Sequence, residues 1–489
     1  MRCLILTVLL TLSADAQIQQ AWAVHYNNGI LNGTNQAVKM ALDSAGNIYV
    51  LGFSQNTNTN LGYVTIKYSP NGKQLWAARY DDTNYPTASP SAFALDSSNN
   101  AVVTGNALTI KYDTNGNQLW TVPYSGSALA VDTNGNVAVT GFGTTFDTVK
   151  LSPSGSNLWL QTYPASCGTA IGQAIVADSD GNSYVAGSYP FTCERGLVDY
   201  ELFFIKYDTA GHQIWIGAYQ EAGSPVQVEG ATLDAATNVY LMVDFVNYNR
   251  FVAFKYADSG ALDWISFLTA TDASLSHGLA LDHNRNLVVT GQLNYSYNPA
   301  QGTYNYYYGT FKVDTNGNPI WTNYFPQPPL GSSVANAIAA DSGNSAYVTG
   351  YSPGTNTGND IVTIKYDQNG NQVWLQRYTS PGNSNAVGNA TAVDINGNVY
   401  VTGYDTTAAG GTEIVTIKYS PVTVQRLSNG TVILQAQGSS FESFDIKASA
   451  DLLNWLDLGS VLADTNGLMQ FDDTNAPGHP ARFYYTTPQ

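Results

Sequence analysis

Basic charge is scarce in this sequence. The 489 residues hold 19 Lys and Arg against 36 Asp and Glu, a formal charge of -17, and only 11% of residues are charged. That balance argues against a nucleic-acid binder, which presents a basic face. Histidine numbers five, which leaves few general bases. No apolar run after the first 16 residues approaches the ~20 residues that cross a bilayer as a helix, so no transmembrane segment is expected. GxSxG, HExxH, P-loop and CxxCH patterns are all missing, which removes common nucleophilic, zinc-protease, nucleotide and haem signatures. Three cysteines, none with a His-containing spacing, make no zinc site. Neither a cofactor nor a metal is expected. The chain is nevertheless 44% hydrophobic, ample for a sizeable core, which excludes a disordered acidic chain.

Residues 1–16 read as a signal peptide. Arg2 supplies the positive start, Leu4 to Leu12 the apolar stretch, and Ala14-Asp15-Ala16 a small-x-small cleavage site. Export to the periplasm, cell surface or medium is the expectation. Cys3 leaves with this segment. Cys167 and Cys193 then form an even pair in an oxidising compartment, either one disulfide or two separate thiols.

The mature chain repeats itself. One unit reads as an apolar run, Asp, a turn, Gly-Asn, VYVTG, a variable loop, IVTIKYD, TNGN, QLW and RY. The Asp recurs at Asp43, Asp96, Asp132, Asp178, Asp234, Asp282, Asp341 and Asp394. A Lys recurs at Lys67, Lys111, Lys150, Lys206, Lys255, Lys312, Lys365 and Lys418, and a Trp at Trp76, Trp120, Trp159, Trp215, Trp264, Trp321 and Trp374. Spacings of 36 to 59 residues between the Asp positions fit propeller blades. Each unit holds four short apolar or β-branched runs joined in pairs by Asn-Gly-type turns, which predicts a four-stranded meander with two-residue hairpins. The eighth unit stops at Tyr419-Ser420-Pro421 without a Trp, but QAWAVHY at 20–26 matches QLWAARY at 74–80. Trp22 is therefore the eighth Trp. The fold expected is all-β: an eight-bladed β-propeller over 17–421, closed by the N-terminal strand, which removes an exposed sheet edge. Residues 422–489 break the repeat and are expected to form a small C-terminal β-sandwich domain.

These units resemble the bacterial SBBP family, named for its β-propeller repeat with D-x-x-GN-x-YVTG. The resemblance covers residues 18–421 and weakens in units five and six, where Asp244-Phe245 replaces the Gly and Val313 the Tyr after Lys312. It implies an exported propeller and no catalytic residues. The segment FDIKASADLLNWLDLG followed by FDDTNAPGHPARFYY is similar to small β-sandwiches appended to secreted bacterial proteins.

A residue in every unit belongs to the scaffold first. The Trp residues are expected between blades, and the recurring Lys and Asp are expected to pair, with the Lys stems covering apolar surface. The D-x-N-G-N loops resemble the opening of a calcium loop but lack its distal Glu, and so read as turns. The connections at one end of the meanders are short and alike. Those at the other end vary, which is where recognition usually resides. Cys167 and Cys193 fall there, as do Glu194, Arg195, Asp199, Glu201 and Glu221, an acidic patch or ordinary solvated charge. The longest variable connection is QLNYSYNPAQGTYNYYYGT at 292–310. Its Tyr295, Tyr297, Tyr304, Tyr306, Tyr307 and Tyr308 suit stacking on sugars or anchoring a protein, and they also fit a simple continuation of the flanking strands. Five residues before each unit Asp stands a second row: Val38, Ser91, Ser127, Gln173, Glu229, His277, Asn336 and Asn389. Glu229, His277, Asn336 and Asn389 are candidate ligand-binding residues, and the first two weak catalytic candidates. A polar rim facing water fits equally.

The expected function is non-catalytic recognition of an extracellular glycan or protein through the loop-rich face. The alternatives are a polysaccharide-active enzyme using Glu229 and His277 at a channel mouth, although glycosidases pair two carboxylates and this row has one, or a structural cell-surface assembly module.

Overall fold

The computed structural model describes residues 17–488 apart from 31, 83, 142–145, 164–169, 195–196, 221–223, 246, 248–249, 269–274, 299–302, 326–331, 439–440, 451–452, 466 and 479–482. It forms two compact units, residues 23–418 and residues 1–22 with 419–489.

The larger unit is a succession of antiparallel four-stranded sheets, each hydrogen-bonded in sequence order. The first comprises Asn35–Leu42, Ile48–Gln55, Leu61–Tyr68 and Gln74–Tyr80. Six more follow, within 90–122, 128–163, 171–220, 226–267, 275–325 and 334–378. The eighth takes Ala386–Val393, Val399–Thr406 and Thr412–Arg426, and its fourth strand is Gln17–Tyr26 from the other end of the chain. This is an all-β architecture consistent with a β-propeller. The two middle strands of a sheet are covered on both faces, so they are largely apolar rather than alternating; Val239–Phe245 is buried at every position and apolar at all but Asp244. The fourth strand alternates instead, as in Gln213–Gln220, because one of its faces meets water.

The turns differ from the predicted two-residue hairpins. Asp43 N–H donates to Asn47 O at 3.0 Å and Gly46 N–H to Asp43 O at 2.9 Å. This is a three-residue loop whose last residue is left-handed. The Asp43 carboxylate fixes it, accepting from Ala45 N–H at 3.0 Å, Asn47 N–H at 2.8 Å and Asn47 Nδ2 at 2.8 Å. The same geometry recurs at Asp132 and Asp394. Where the left-handed position is not Gly, Asn99, Thr237, Arg285 and Asn344 occupy it at φ of 61° to 65°; the Asp bonds offset the small cost of a side chain there.

The same Asp also meets the recurring Lys. Lys111 lies 2.8 Å from Asp96, Lys150 2.9 Å from Asp132 and Lys312 2.8 Å from Asp282, all buried. Each ammonium then reaches the next sheet: Lys111 donates to Pro153 O at 3.3 Å, Lys312 to Asn344 O at 3.0 Å, and Lys150 to Gly181 O. The Trp residues make a parallel set of links. Trp76 Nε1 donates to Thr114 O and Trp120 Nε1 to Pro153 O, both at 2.9 Å, and each indole lies against a turn glycine of the next sheet, Gly116 and Gly155. Lys418 of the eighth sheet donates to Pro70 O of the first at 3.2 Å. Sheets four and five depart from the pattern: Lys206 pairs with Asp258 of the next sheet at 2.5 Å, and Lys255 with Asp263 at 3.2 Å.

In the smaller unit, Val432–Gln437 pairs with Leu468–Asp473 and with Thr423–Arg426, while Ser443–Ser449 lies between Leu456–Leu462 and Phe483–Pro488. Val422, Leu434, Phe444, Ile446 and Met469 form its core.

Asp132 illustrates the energetics. Burial alone would raise its carboxyl, but hydrogen bonds from Asn136 and Lys150 outweigh that and hold it below the usual carboxylate range. The stability it contributes is present above about pH 4 and is lost as pH falls through the lower folded value. Asp132→Ala is expected to cost about 3–5 kcal/mol, since Lys150 is left buried and unpaired. Urea denaturation checks this, and adding Lys150→Met should recover part of the loss.

Candidate functional site

The row beginning at Val38 has a common structural cause. In seven of the eight innermost strands the pairing register slips at the row residue, so that it stands unpaired as a β-bulge: Val38, Ser91, Gln173, Glu229, His277, Asn336 and Asn389. Ser127 directly precedes its strand and donates its own N–H to Thr140 O at 2.9 Å. A bulge re-aims a side chain, here toward the next sheet. Ser91 Oγ donates to Gly126 O at 2.5 Å, Asn336 Nδ2 to Gly388 O at 2.9 Å, and Asn389 Nδ2 to Ala37 O at 2.9 Å. Ser127 Oγ donates to Gly172 O, and Gln173 Oε1 accepts from Val228 N–H at 3.1 Å. Each partner immediately precedes the next row residue. Asn336 and Asn389, predicted as ligand contacts, are therefore braces between innermost strands, and their amides are already engaged.

Glu229 and His277 differ. The eight innermost strands contain one Lys, one Glu and one His and no other ionisable side chain. The Glu229 carboxyl is pushed up to about 7, chiefly by burial; the positive Lys39 and a hydrogen bond to Gln227 only partly oppose it. Lys39 belongs to the first strand of the first sheet and Glu229 to the first strand of the fifth. Burial lowers the Lys39 ammonium, and Glu229 opposes that. Lys39 is nonetheless open to water by surface area. Burial likewise lowers the His277 imidazole, against a hydrogen bond with Gln292, and its Nε2 is buried with no partner among the described residues.

The tyrosine-rich segment is a hairpin rather than a loop. Leu287–Asn298 pairs with Thr303–Val313 almost to the tip, with Tyr297 opposite Tyr304 and Tyr295 at a bulge. Tyr308 is 1% exposed, packs with its ring centroid 5.3 Å from that of Phe325 in a tilted arrangement, and donates to Val362 O at 3.3 Å. It packs in the core and offers no face to a ligand, which corrects the expectation for that residue. Tyr306 and Tyr307 are half-buried. The side chains of Tyr295, Tyr297 and Tyr304 lie outside the described residues. So do Cys167, Arg195 and Glu221, and the side chains of Cys193, Glu194 and Asp199; the backbone of Cys193 stands opposite Val198. Glu201 is 8% exposed and accepts from Gln220 Nε2 at 3.2 Å, so it is a buried partner rather than part of a solvated patch.

One cluster escaped sequence reasoning. His25 Nε2 lies 2.8 Å from the Tyr378 hydroxyl and 3.2 Å from Asp405 Oδ2, and Tyr378 donates to that same oxygen at 2.9 Å. Glu413 completes the group and accepts from Asn27 Nδ2 at 3.2 Å. The Asp405 hydrogen bond raises the His25 pKa against the opposing effect of burial. The only signal was His25 standing where other units carry Arg79 or Arg377.

No family model matches this chain. It is similar to an uncharacterized WD repeat-containing protein of Acanthamoeba polyphaga mimivirus, 24% identical over 80% of this chain and 36% of that protein, so the chain spans about a third of that relative's length. Among solved structures it is similar to the Neurospora crassa Pan2 WD40 domain, at 13% identity and TM-score 0.44 over 83% of this chain and 97% of that one. A protein of unknown function from Dyadobacter fermentans is similar at 8% identity and TM-score 0.38, over 83% and 99% of the respective chains.

The inner-face charges make a pH prediction. Because the folded Glu229 carboxyl holds its proton more tightly than the unfolded one, stability should fall as pH rises from about 4.5 through about 7, on the order of 2–3 kcal/mol. Glu229→Gln should flatten that slope in urea titrations at pH 5 and 8. Lys39→Met should move the Glu229 midpoint, followed by carboxyl NMR, above about 7, because it removes the opposing positive charge.

Proposed function

We propose that this protein is an exported eight-bladed propeller, closed by its N-terminal strand, that serves as a non-catalytic interaction scaffold. In this reading its unequal connections bind an extracellular protein or glycan. The smaller unit is a β-sandwich accessory domain, and Cys167 and Cys193 form a disulfide on the recognition face. The SBBP resemblance rests on the recurring D-x-x-GN-x-YVTG unit.

The observation that supports the reading is the contrast between the two ends of the sheets. At one end the turns are nearly uniform and held by Asp carboxylates. At the other, two hairpins built on strands of 11 and 12 residues, 183–207 and 287–313, run past neighbouring strands of 4 to 8 residues. A rigid frame with extended, unequal hairpins at one end suits recognition. Similarity to a WD repeat-containing protein is consistent with a scaffold.

A second reading takes Glu229 as a general acid in a polysaccharide-active enzyme, because a carboxyl with a midpoint of about 7 is half protonated at neutral pH. Turnover of a polysaccharide that Glu229→Gln abolishes would favour it.

The scaffold reading is tested on residues 17–489, kept without reductant, against a glycan array and by cross-linking at the native cell envelope. Tyr297→Ala with Tyr304→Ala and Tyr306→Ala at the hairpin tip should weaken capture of the glycan or protein at least tenfold without lowering the melting temperature. Equal binding by the wild type and this variant would remove the hairpin from the interface.

A further inference from the structure

The strongest independent feature is the cluster at the loop-rich end of the eighth sheet. There His25 closes the strand Gln17–Tyr26, Asp405 closes Val399–Thr406, and Glu413 opens Thr412–Arg426. Comparison with the seventh sheet, position by position, shows what has changed. Ser352, Asp360 and Arg377 occupy the equivalent places there. Arg377 Nη1 lies 3.2 Å from Asp360 Oδ2, and Nη2 donates to Ser352 Oγ at 3.3 Å. That group carries one positive and one negative charge and balances itself. The first sheet also has an arginine here: Arg79 Nη2 donates to Ser54 O at 2.6 Å and pairs with Asp81 at 2.7 Å.

In the eighth sheet the serine has become Asp405, the aspartate Glu413, and the arginine His25. The permanent cation has given way to an imidazole beside Asp405, and a carboxylate has been added. With a neutral imidazole the group carries two negative charges, and it offers one nitrogen and two carboxylates as ligands. One potential ligand atom from each residue lies within 4.8 Å of the others.

An orphaned atom points the same way. Asp405 is 1% exposed, yet its Oδ1 has no hydrogen-bond partner among the described residues, while its Oδ2 sits inside the cluster. A buried carboxylate oxygen without a donor is costly, and carboxylates buried in this way are paired or coordinate a metal.

We propose that His25, Asp405 and Glu413 form a binding site for a divalent transition-metal ion of the zinc type. One imidazole with two carboxylates fits zinc or manganese better than calcium or magnesium, which take oxygen ligands alone. Zinc bonds of about 2.0–2.2 Å require the three ligand atoms to draw together through modest side-chain rotation. A fourth position is left for water, and the His25 side chain, 28% exposed, gives the ion access from solvent. The Tyr378 hydroxyl, which already donates to Asp405, would orient that carboxylate as an outer-shell partner. The ion would tie the N-terminal strand to its neighbour Thr412–Arg426 and to Val399–Thr406 beyond it.

The test uses untagged full-length mature chain stripped with chelator and titrated with zinc chloride by calorimetry. Cobalt(II) serves as a spectroscopic reporter of coordination. The expected result is one equivalent bound, a rise in melting temperature, and an NMR shift of the His25 ring nitrogens. His25→Gln and Glu413→Gln should each weaken binding at least tenfold. Glu413 is only half-buried, so its variant keeps the test valid if Asp405 or His25 changes disturb folding. Absence of stoichiometric binding, or binding that neither substitution weakens, overturns the proposal.

Discussion

The recurring lysine governs this structure. In sheets such as the second, third and sixth its ammonium is buried beside the turn aspartate of its own sheet and donates to a backbone carbonyl of the next, as Lys111 does with Asp96 and Pro153. A buried charge is tolerable only when paired and hydrogen-bonded, so sheet and neighbour must be in register before the lysine can be accommodated. The aspartate is equally committed, since one carboxylate holds the turn and neutralises the lysine. Such a pair adds little net stability over a well-packed apolar alternative. What it supplies here is register between successive sheets, reinforced by the indole of the same unit.

That logic explains how much of the fold was legible. Asp, Lys and Trp recur because each is needed once per sheet, and their spacing located the eight units. The match of 20–26 to 74–80 located the strand that joins Thr412–Arg426. Asn-Gly was misread as a two-residue turn because the carboxylate that sets the loop length sits three residues before the glycine. Tyrosines 295–308 looked like a loop because Leu287–Asn298 and Thr303–Val313 outlast the repeat there, and alternation alone does not reveal where pairing ends.

The site residues were harder to read for a geometric reason. Period-two reasoning assigns each side chain to one face of a strand, whereas the row at Val38 stands on bulges. A bulge breaks that period and turns the side chain toward the adjacent sheet, so Asn336 and Asn389 became braces. The His25 cluster was invisible for another reason: it draws on residue 25 and on residues 405 and 413, which only the pairing of the chain's two ends brings together.

A repeat architecture separates scaffold from specialised chemistry by subtraction. A residue shared by the units satisfies the same local requirement in each, and changing it in one unit leaves a buried partner unmet. Departures confined to a single unit carry no such obligation. Lys39, Glu229 and His277 are the inner-face departures, where most units place small, apolar or amide side chains. His25, Asp405 and Glu413 depart together at three positions that the seventh sheet fills with a balanced Arg–Asp–Ser group. A single drift from Arg to His would have left one carboxylate short of a cation. The three changes together add a second carboxylate, and the proposed metal ion would offset its charge.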